Sequence, residues 1–214
     1  MDKIQAFLFD LDGVLVSTEH NHFVSWQHCA HLLGIPFSQK ENELLKGVSR
    51  IDSLKKILAL GNKQISTDEF ESLLKIKNDF YLDSIKHINQ SNLLPGVLNV
   101  LTVATKKGIL LGVGSSSKNA NLILEKLQIK DLFKVIIDGN GVKNPKPDPE
   151  VFLNGASALG VEPAKTLVFE DAASGITAAK NGGFNTIGVG NPHIAHLSDI
   201  YLDDLTQFKL ETYA

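Results

Sequence analysis

The fold of this chain can be worked out from one stretch, Phe7-Leu8-Phe9-Asp10-Leu11-Asp12-Gly13-Val14. The stretch continues a mainly apolar run that begins at Ile4, and two aspartates follow this run directly. A short continuous apolar run is typical of a strand that is buried on both faces of a parallel sheet. Because ligands of such sheets lie beyond the carboxyl ends of the strands, Asp10 and Asp12 are placed where a functional site is expected.

Five further apolar runs resemble this first strand and lie downstream of it. They are Ile109–Gly114, Val135–Ile137, Thr166–Phe169, Thr186–Val189 and, more weakly, Ile200–Leu202. Most are separated by segments with helical periodicity, one of them opened by the turn signal Pro95-Gly96. This alternation predicts an α/β fold with a Rossmann-like parallel sheet and helices on both of its faces.

The stretch after the first strand breaks the alternation because it contains only helical patterns. These patterns cover Glu19–Leu33, Glu41–Lys46, Arg50–Leu60 and Thr67–Ile85. We therefore predict a small all-helical cap domain, residues 17–91, inserted into a catalytic core of residues 1–16 and 92–214.

The composition restricts the function classes that need to be considered. A formal net charge of −3 gives no broad basic surface for nucleic acid or a membrane, so neither partner is expected. No run approaches the roughly 18 to 20 apolar residues of a membrane span, and Asp10 and Asp12 interrupt the N-terminal apolar stretch as no signal peptide would. The single cysteine, Cys29, excludes an internal disulfide. We expect a cytoplasmic monomer.

A second acidic pair, Glu170-Asp171, also follows a predicted strand directly. An isolated Asp-x-Asp is more often a polar loop, but two acidic pairs at the edge of one sheet would repel each other without a cation. Hard oxygen ligands that leave positions open suit Mg²⁺, which bridges readily to phosphate. The two pairs therefore predict a magnesium site that involves Asp10, Asp12, Glu170 and Asp171.

Two segments provide groups that can bind an anion. The serine-rich run Gly114-Ser115-Ser116-Ser117-Lys118-Asn119 joins a predicted strand to a predicted helix, where free amides and hydroxyls can bind phosphate. Simple N-capping by Ser117 or Asn119 explains the same pattern. Lys146 lies in the proline-rich loop 144–149, either as a phosphate ligand or as a solvated lysine. Together with Asp10, these groups suit transfer of a phosphoryl group to a carboxylate.

The chain resembles the haloacid dehalogenase superfamily of phosphotransferases, whose four signatures occur in order. They are Asp10-Leu11-Asp12-Gly13, Ser115, Lys146 and Glu170-Asp171. The resemblance implies that Asp10 is the nucleophile and that Asp12 is the general acid and base. It also implies that Ser115 and Lys146 hold the transferring phosphate, and that Mg²⁺ is bound by Asp10, the Asp12 carbonyl, Glu170 and Asp171.

A closer resemblance is to the sugar-phosphate mutases of that superfamily, and it includes residues of the insertion. The substrate-binding residues that it implies are His22, Trp26, Gly47, Val48, Ser49, Arg50, Lys77, Ser115, Ser116, Ser117, Lys118, Asn119 and Lys146. The implied substrate is a hexose phosphate, with Arg50 on its distal phosphate. The implied reaction interconverts β-glucose 1-phosphate and glucose 6-phosphate through an aspartyl-phosphate enzyme and glucose 1,6-bisphosphate.

Three positions depart from the pattern of those mutases. Ser17 stands where aspartate is common, Ser116 where alanine is common and Ala172 where serine is common. Two alternatives to a mutase stay open. A sugar phosphatase or pyrophosphatase would use the same aspartyl-phosphate with water as acceptor, and a sugar-phosphate sensor would bind without turnover.

Overall fold

The computed structural model describes residues 3–210 of the chain. Within this range the strands are β1 Ala6–Phe9, β2 Leu110–Gly114, β3 Val135–Ile137, β4 Thr166–Glu170, β5 Asn185–Val189 and β6 Ile200–Leu202. They form one parallel sheet in the order β3-β2-β1-β4-β5-β6. All six apolar runs therefore form strands, and the predicted parallel α/β fold is confirmed.

The helices follow the predicted alternation with one addition. In the same range they are α1 Glu19–Leu32, α2 Gln39–Glu43, α3 Arg50–Leu60, α4 Thr67–Ser84, α5 Val97–Lys106, α6 Ala120–Lys126, α7 Glu150–Leu159 and α8 Ala173–Asn181. The last of these was not predicted, because its sequence is rich in small residues and contains Gly175, which weakens a helical pattern.

Strand β1 lies at the centre of the sheet, and all four of its residues are buried. Successive side chains of a strand point to opposite faces. Accordingly, Phe7 packs edge-on against Phe169 with ring centroids 5.2 Å apart, while Leu8 belongs to the apolar cluster that contains Phe152. Burial on both faces fixes the position of β1, and with it the position of the acidic residues that follow.

The chain divides into two compact units. One contains the sheet and comprises the residues up to Ser17 and those from Ile88 onward, and the other is Thr18–His87. The predicted boundaries, after residues 16 and 91, lie near these positions. The assignment of the two units as catalytic core and cap domain stays a prediction.

The unit Thr18–His87 is entirely helical and has an apolar core of its own, which includes Trp26, Cys29, Leu54, Ile57 and Leu73. Serines cap the starts of α3 and α4. Ser49 Oγ accepts a hydrogen bond from the Asp52 amide at the start of α3, and Ser66 Oγ accepts one from the Glu69 amide at the start of α4, both at 3.2 Å.

A helix that spans a membrane must be both long and apolar. Among the residues that the structure describes, no helix has the length and hydrophobicity needed to cross a bilayer.

Candidate active site

Neighbouring strands bring two of the predicted acidic residues together. Phe9 of β1 pairs with Phe169 of β4, so the residues that come next lie at adjacent positions: Asp10 directly follows β1, and Glu170 is the last residue of β4. The Asp10 amide donates a hydrogen bond of 2.9 Å to the Phe169 carbonyl, which continues the ladder to the aspartate. Both carboxylates are buried.

A lysine from a distant segment bridges these carboxylates. Lys146 Nζ lies 2.5 Å from Asp10 Oδ1 and 2.5 Å from Glu170 Oε1, and its side chain is fully buried. The ammonium also lies 4.7 Å from the centroid of the Phe152 ring, a distance at which the ring face attracts a cation. The structure thus places Lys146 beside Asp10, and the alternative of a solvated lysine is wrong.

The charges of Asp10, Glu170 and Lys146 affect the pKa values of Asp10 and Lys146. Burial is the largest cause that raises the pKa of the Asp10 carboxyl, Lys146 lowers it, and the nearby carboxylates of Glu170 and Asp12 raise it; together they bring the pKa from 3.8 to about 7. Burial alone lowers the pKa of Lys146, but the charges of Asp10 and Glu170 outweigh this effect and hold the pKa above its usual value. Near neutral pH, Asp10 is therefore close to the point at which it exchanges its proton, while Lys146 stays cationic.

Two glycines allow the acidic side chains to lie against the backbone. A Cβ at Gly13, which adopts a φ of +88°, would overlap the carboxylate of Asp171. A Cβ at Gly175 would overlap the carboxylate of Glu170, whose Oε2 also accepts a hydrogen bond of 2.8 Å from the Ala172 amide. Asp171 therefore lies directly beside the backbone that carries Asp12.

The serine-rich run after β2 forms a tight loop that is ordered by its own hydroxyls. Ser115 Oγ accepts a hydrogen bond of 3.1 Å from the Ser117 amide, and Ser117 Oγ accepts one of 3.2 Å from the Asn119 amide. Ser115 is buried, Ser116, Ser117 and Asn119 are partly exposed, and Lys118 is exposed. Asn119 occupies the N-cap position of α6 without a side-chain cap bond, so the alternative of N-capping by Asn119 is not borne out.

A residue outside the predicted set holds this loop in place. Asp138 follows β3, and its Oδ1 accepts a hydrogen bond of 2.8 Å from the Asn140 amide. Its Oδ2 accepts one of 3.2 Å from Asn121 Nδ2 on α6. Asn140 Nδ2 in turn donates to the Lys118 carbonyl at 3.2 Å. Asp138 thus links the end of one strand to the serine-rich loop of its neighbour.

Three of the residues predicted to bind substrate come together inside the helical unit. Lys77 is almost fully buried, and its Nζ lies 2.9 Å from His22 Nδ1. The same ammonium lies 5.1 Å from the centroid of the Trp26 ring and 4.5 Å from that of the Tyr81 ring. Tyr81 was missed by the sequence analysis, since an aromatic residue at helical spacing usually indicates only a core position.

The segment Gly47–Arg50 joins α2 to α3 in the same unit. Gly47 has a φ of +69°, Val48 follows it, and Ser49 caps α3, so that Arg50 is the first residue of that helix. Burial lowers the pKa of Arg50, while an electrostatic interaction with Tyr81 acts in the opposite direction. Arg50 and Lys77 are therefore two cations that share Tyr81 as a neighbour.

Comparison with known proteins identifies the family to which this arrangement belongs. The sequence model described as "Haloacid dehalogenase-like hydrolase" matches residues 7–189. The chain belongs to the haloacid dehalogenase-like hydrolases. The match extends from β1 to the end of β5 and includes all four of the signatures found in the sequence.

Relatives within the haloacid dehalogenase-like hydrolases include mutases and phosphatases. A beta-phosphoglucomutase from Bacillus subtilis is 38% identical over 97% of this chain and 93% of its own length. A phosphorylated carbohydrates phosphatase from Thermotoga maritima is 30% identical over 86% of this chain and 84% of its own. A crystal structure of beta-phosphoglucomutase from Clostridium difficile superimposes with a TM-score of 0.94 at 39% identity, covering 98% of this chain and 95% of that chain.

These findings confirm the resemblance to the superfamily and to its sugar-phosphate mutases. The chain is an enzyme of the haloacid dehalogenase-like family of the phosphatase or mutase type. Mutases and phosphatases both occur among the relatives that cover most of the chain, so the comparisons are compatible with either activity.

The acidic residues Asp10, Asp12, Glu170 and Asp171 fit Mg²⁺ in their chemistry. Within residues 3–210, no three His, Cys, Asp or Glu side chains are arranged together to hold a metal ion. The Lys146 ammonium lies 2.5 Å from both the Asp10 and the Glu170 carboxylate. The metal site formed by Asp10, Asp12, Glu170 and Asp171 therefore stays a prediction. Carboxylate and carbonyl oxygens are the ligands that Mg²⁺ prefers, and the carboxylates of Glu170 and Asp12, which both raise the pKa of Asp10, place further negative charge near it.

Proposed function

We propose that this protein is a hexose-phosphate mutase that interconverts β-glucose 1-phosphate and glucose 6-phosphate, with Asp10 as the residue that carries the phosphate. The observation on which the proposal rests is the buried pair of Asp10 and Lys146 at the carboxyl end of β1. A carboxylate held beside a cation at this edge is suited to attack phosphorus, and the similarity to beta-phosphoglucomutases over nearly the whole chain indicates the substrate.

Each half of the reaction moves one phosphoryl group and one proton. An Asp10 oxygen attacks phosphorus, the new P–O bond forms, and the bond from phosphorus to the sugar oxygen breaks. Asp12 donates the proton that the leaving sugar oxygen requires. The other half comes first in the cycle: the 6-hydroxyl of β-glucose 1-phosphate attacks phospho-Asp10, the bond from phosphorus to Asp10 breaks and Asp12 accepts the hydroxyl proton, which gives glucose 1,6-bisphosphate. The bisphosphate then reorients, and attack of Asp10 on its 1-phosphate releases glucose 6-phosphate and restores phospho-Asp10.

Fixed positive charge around the transferring group lowers the barrier to this attack, because both the carboxylate and the phosphate are anionic. Lys146 supplies an ammonium within hydrogen-bond reach of Asp10. Ser115, buried at the end of β2, supplies a hydroxyl. When bound, Mg²⁺ would supply further positive charge from a site that we assign to Asp10, the Asp12 main-chain carbonyl, Glu170 and Asp171.

A mutase must also bind the part of the substrate that does not react. We assign this role to the loop residues Ser116, Ser117, Lys118 and Asn119 and to His22, Trp26, Gly47, Val48, Ser49, Arg50 and Lys77. Arg50 is assigned to the distal phosphate, since a guanidinium can bind two phosphate oxygens at once. The two cations near Tyr81 support this assignment, because a dianion would compensate the charge of both.

A sugar phosphatase is the competing function, and the relative from Thermotoga maritima favours it. Incubation of the protein with β-glucose 1-phosphate, Mg²⁺ and a trace of glucose 1,6-bisphosphate separates the two. We expect glucose 6-phosphate as the main product, with little inorganic phosphate. One inorganic phosphate released for every substrate consumed would assign the protein as a phosphatase instead. Asp10→Asn should abolish both activities, because an amide is a poor nucleophile.

A further inference from the structure

The position of Lys146 depends on a loop that contains few hydrogen-bond donors. Pro145, Pro147 and Pro149 have no amide hydrogen, so much of the backbone around Lys146 cannot donate a hydrogen bond. Yet the loop delivers the ammonium to within 2.5 Å of two buried carboxylates. An arrangement of this accuracy requires that the loop be fixed to a rigid element.

Glu150, the first residue of α7, provides the attachment. Its Oε1 accepts a hydrogen bond of 2.8 Å from the Lys143 amide, and its Oε2 accepts one of 2.9 Å from the Asn144 amide. The two amides belong to the residues that enter the proline-rich segment. We propose that Glu150 is a positioning residue that closes the loop and thereby holds Lys146 against Asp10; its catalytic importance rests on the proposed function.

The other end of the loop is held by contacts that do not involve the Glu150 carboxylate. Asp148 Oδ1 accepts a hydrogen bond of 2.9 Å from the Glu150 amide, and the Asp148 amide donates to the Pro145 carbonyl at 3.0 Å. Asn181 of α8 reaches the Pro147 carbonyl only at 3.4 Å. The two amides that enter the loop are thus held by Glu150, and the exit by the turn at Asp148.

The carboxylate form of Glu150 suits this role. The amides of Lys143 and Asn144 lower the pKa of the Glu150 carboxyl, because they donate hydrogen bonds to its charged form. Bonds to a charged acceptor are stronger than bonds between neutral groups. Both oxygens are used, one for each amide, so a glutamine at this position would keep at most one of the two acceptors.

The test compares Glu150→Ala and Glu150→Gln with a matched control, Glu162→Gln. Glu162 is also a glutamate of the sheet-containing unit, but its side chain pairs with Lys165 at the surface and caps no helix. Lys146 is probed in the full-length protein by brief treatment with an amine-reactive reagent, followed by mass spectrometry. The exposed Lys75 serves as the internal standard.

In the wild-type protein and in Glu162→Gln, we expect Lys146 to be protected. In Glu150→Ala its labelling should rise several-fold, and in Glu150→Gln it should rise less. Transfer of phosphate from acetyl phosphate to Asp10 should fall by about 10- to 100-fold in Glu150→Ala, with a smaller loss in Glu150→Gln. The graded order separates positioning of Lys146 from a general effect at the start of α7.

Protection of Lys146 in a folded Glu150→Ala protein would overturn the proposal, whatever the activity. If Glu150→Ala does not fold, equal labelling of Lys146 in Glu150→Gln and the wild type would overturn it. The labelling requires no substrate and therefore does not depend on the proposed function. Increased labelling in a protein that lacks mutase activity would leave Glu150 as the positioning residue and reject the mutase alone.

Discussion

Phe9 and Phe169 are paired across the parallel strands β1 and β4, and their rings stack with centroids 4.5 Å apart and planes inclined by 13°. Both residues are fully buried. The residue that follows each of them carries a carboxylate of the candidate site, Asp10 directly after β1 and Glu170 at the end of β4. The aromatic stack therefore fixes the register of the two strands at the point where their acidic residues leave the sheet.

The first prediction tests this link by comparing Phe169→Leu with Phe208→Leu. Phe208 packs against the same aromatic group, with its ring centroid 5.2 Å from that of Phe169, but no acidic site residue follows it. Each change should lower the free energy of unfolding by roughly 1–3 kcal/mol, since it alters the shape of an apolar cluster. Only Phe169→Leu should also slow phosphorylation of Asp10. Equal rates in the two variants would show that the stack serves stability alone.

The second prediction concerns the titration of Asp10 without Mg²⁺. Because burial raises the pKa of its carboxyl to about 7, the carboxylate needed for attack on phosphorus is lost as the pH falls below that value. ¹³C NMR of the aspartate carboxyls, with Asp10→Asn as the assignment control, should show one group that titrates near pH 7. A cation bound beside it favours the charged form, so added Mg²⁺ should lower this pKa. An Asp10 that titrates near its ordinary value in the metal-free protein would contradict the expectation.

The raised pKa of Asp10 also makes the free energy of unfolding depend on pH. The pKa of Asp10 is higher in the folded than in the unfolded protein. Protonated Asp10 therefore stabilises the folded state fully below the unfolded pKa, and this stabilisation is lost as the pH rises through about 7. Relative to Asp10→Asn, the free energy of unfolding of the wild type should fall between these pKa values by up to about 1.4 kcal/mol per pH unit. Urea denaturation without Mg²⁺ measures this difference.

The third prediction distinguishes Glu170 from Asp171 at the metal. Glu170 is bound to Lys146 and to the Ala172 amide, whereas Asp171 lies against Gly13 in the segment that carries Asp12. Replacement of Asp171 by asparagine should therefore raise the Mg²⁺ concentration required for activity. Glu170→Gln should weaken Mg²⁺ as well, and in addition should increase the labelling of Lys146. Isothermal titration with unchanged Mg²⁺ affinity in both variants would leave them with a structural role.

The fourth prediction concerns Asp138, which links the end of β3 to the serine-rich loop. Asp138→Ala removes the acceptor for Asn121 and the Asn140 amide, so the loop should lose its fixed geometry. We expect the KM for hexose phosphate to rise by about 5- to 50-fold, as for the loss of one or two hydrogen bonds, with a smaller change in kcat. Asp131→Ala, at an exposed position of the same unit, serves as the control. An unchanged KM would mean that the loop is held by its own hydroxyls.

Much of the site could be predicted because it depends on the order of residues along the chain. Asp10 directly follows β1 and Glu170 ends β4, and parallel strands bring their carboxyl ends to one edge, so their proximity follows from the fold alone. The contact of Lys146 with Asp10 could not be predicted from strand order, because it joins residues that are 136 positions apart and depends on the conformation of the lysine side chain. Asp138 and Glu150 were missed although their partners lie nearby in the chain, because these hydrogen bonds depend on the path of the folded loops. Tyr81 was missed because an aromatic residue at helical spacing usually indicates only a core position.

The last prediction concerns Arg50 and tests whether this chain is the proposed mutase or a phosphatase. If Arg50 binds the distal phosphate, Arg50→Ala should lower kcat/KM for a hexose phosphate by about one to two decades, as for the loss of a charge-assisted contact. Phosphorylation of Asp10 by acetyl phosphate should be nearly unchanged, because this donor has no second phosphate. Lys55→Ala is the matched control, as Lys55 is an exposed cation of the same helix that pairs with Asp52.

A conservative change sharpens this test. Arg50→Lys keeps the charge but replaces a planar fork of donors with a single ammonium, so it should restore only part of the activity with hexose phosphate. Full recovery of activity with hexose phosphate would mean that charge alone is required, and would exclude a need for the two-point hydrogen bonding of a guanidinium to phosphate. Equal losses for both donors in Arg50→Ala would instead show that Arg50 supports the helical unit, since acetyl phosphate cannot report on a distal phosphate. The case for a mutase would then depend on similarity to the known mutases.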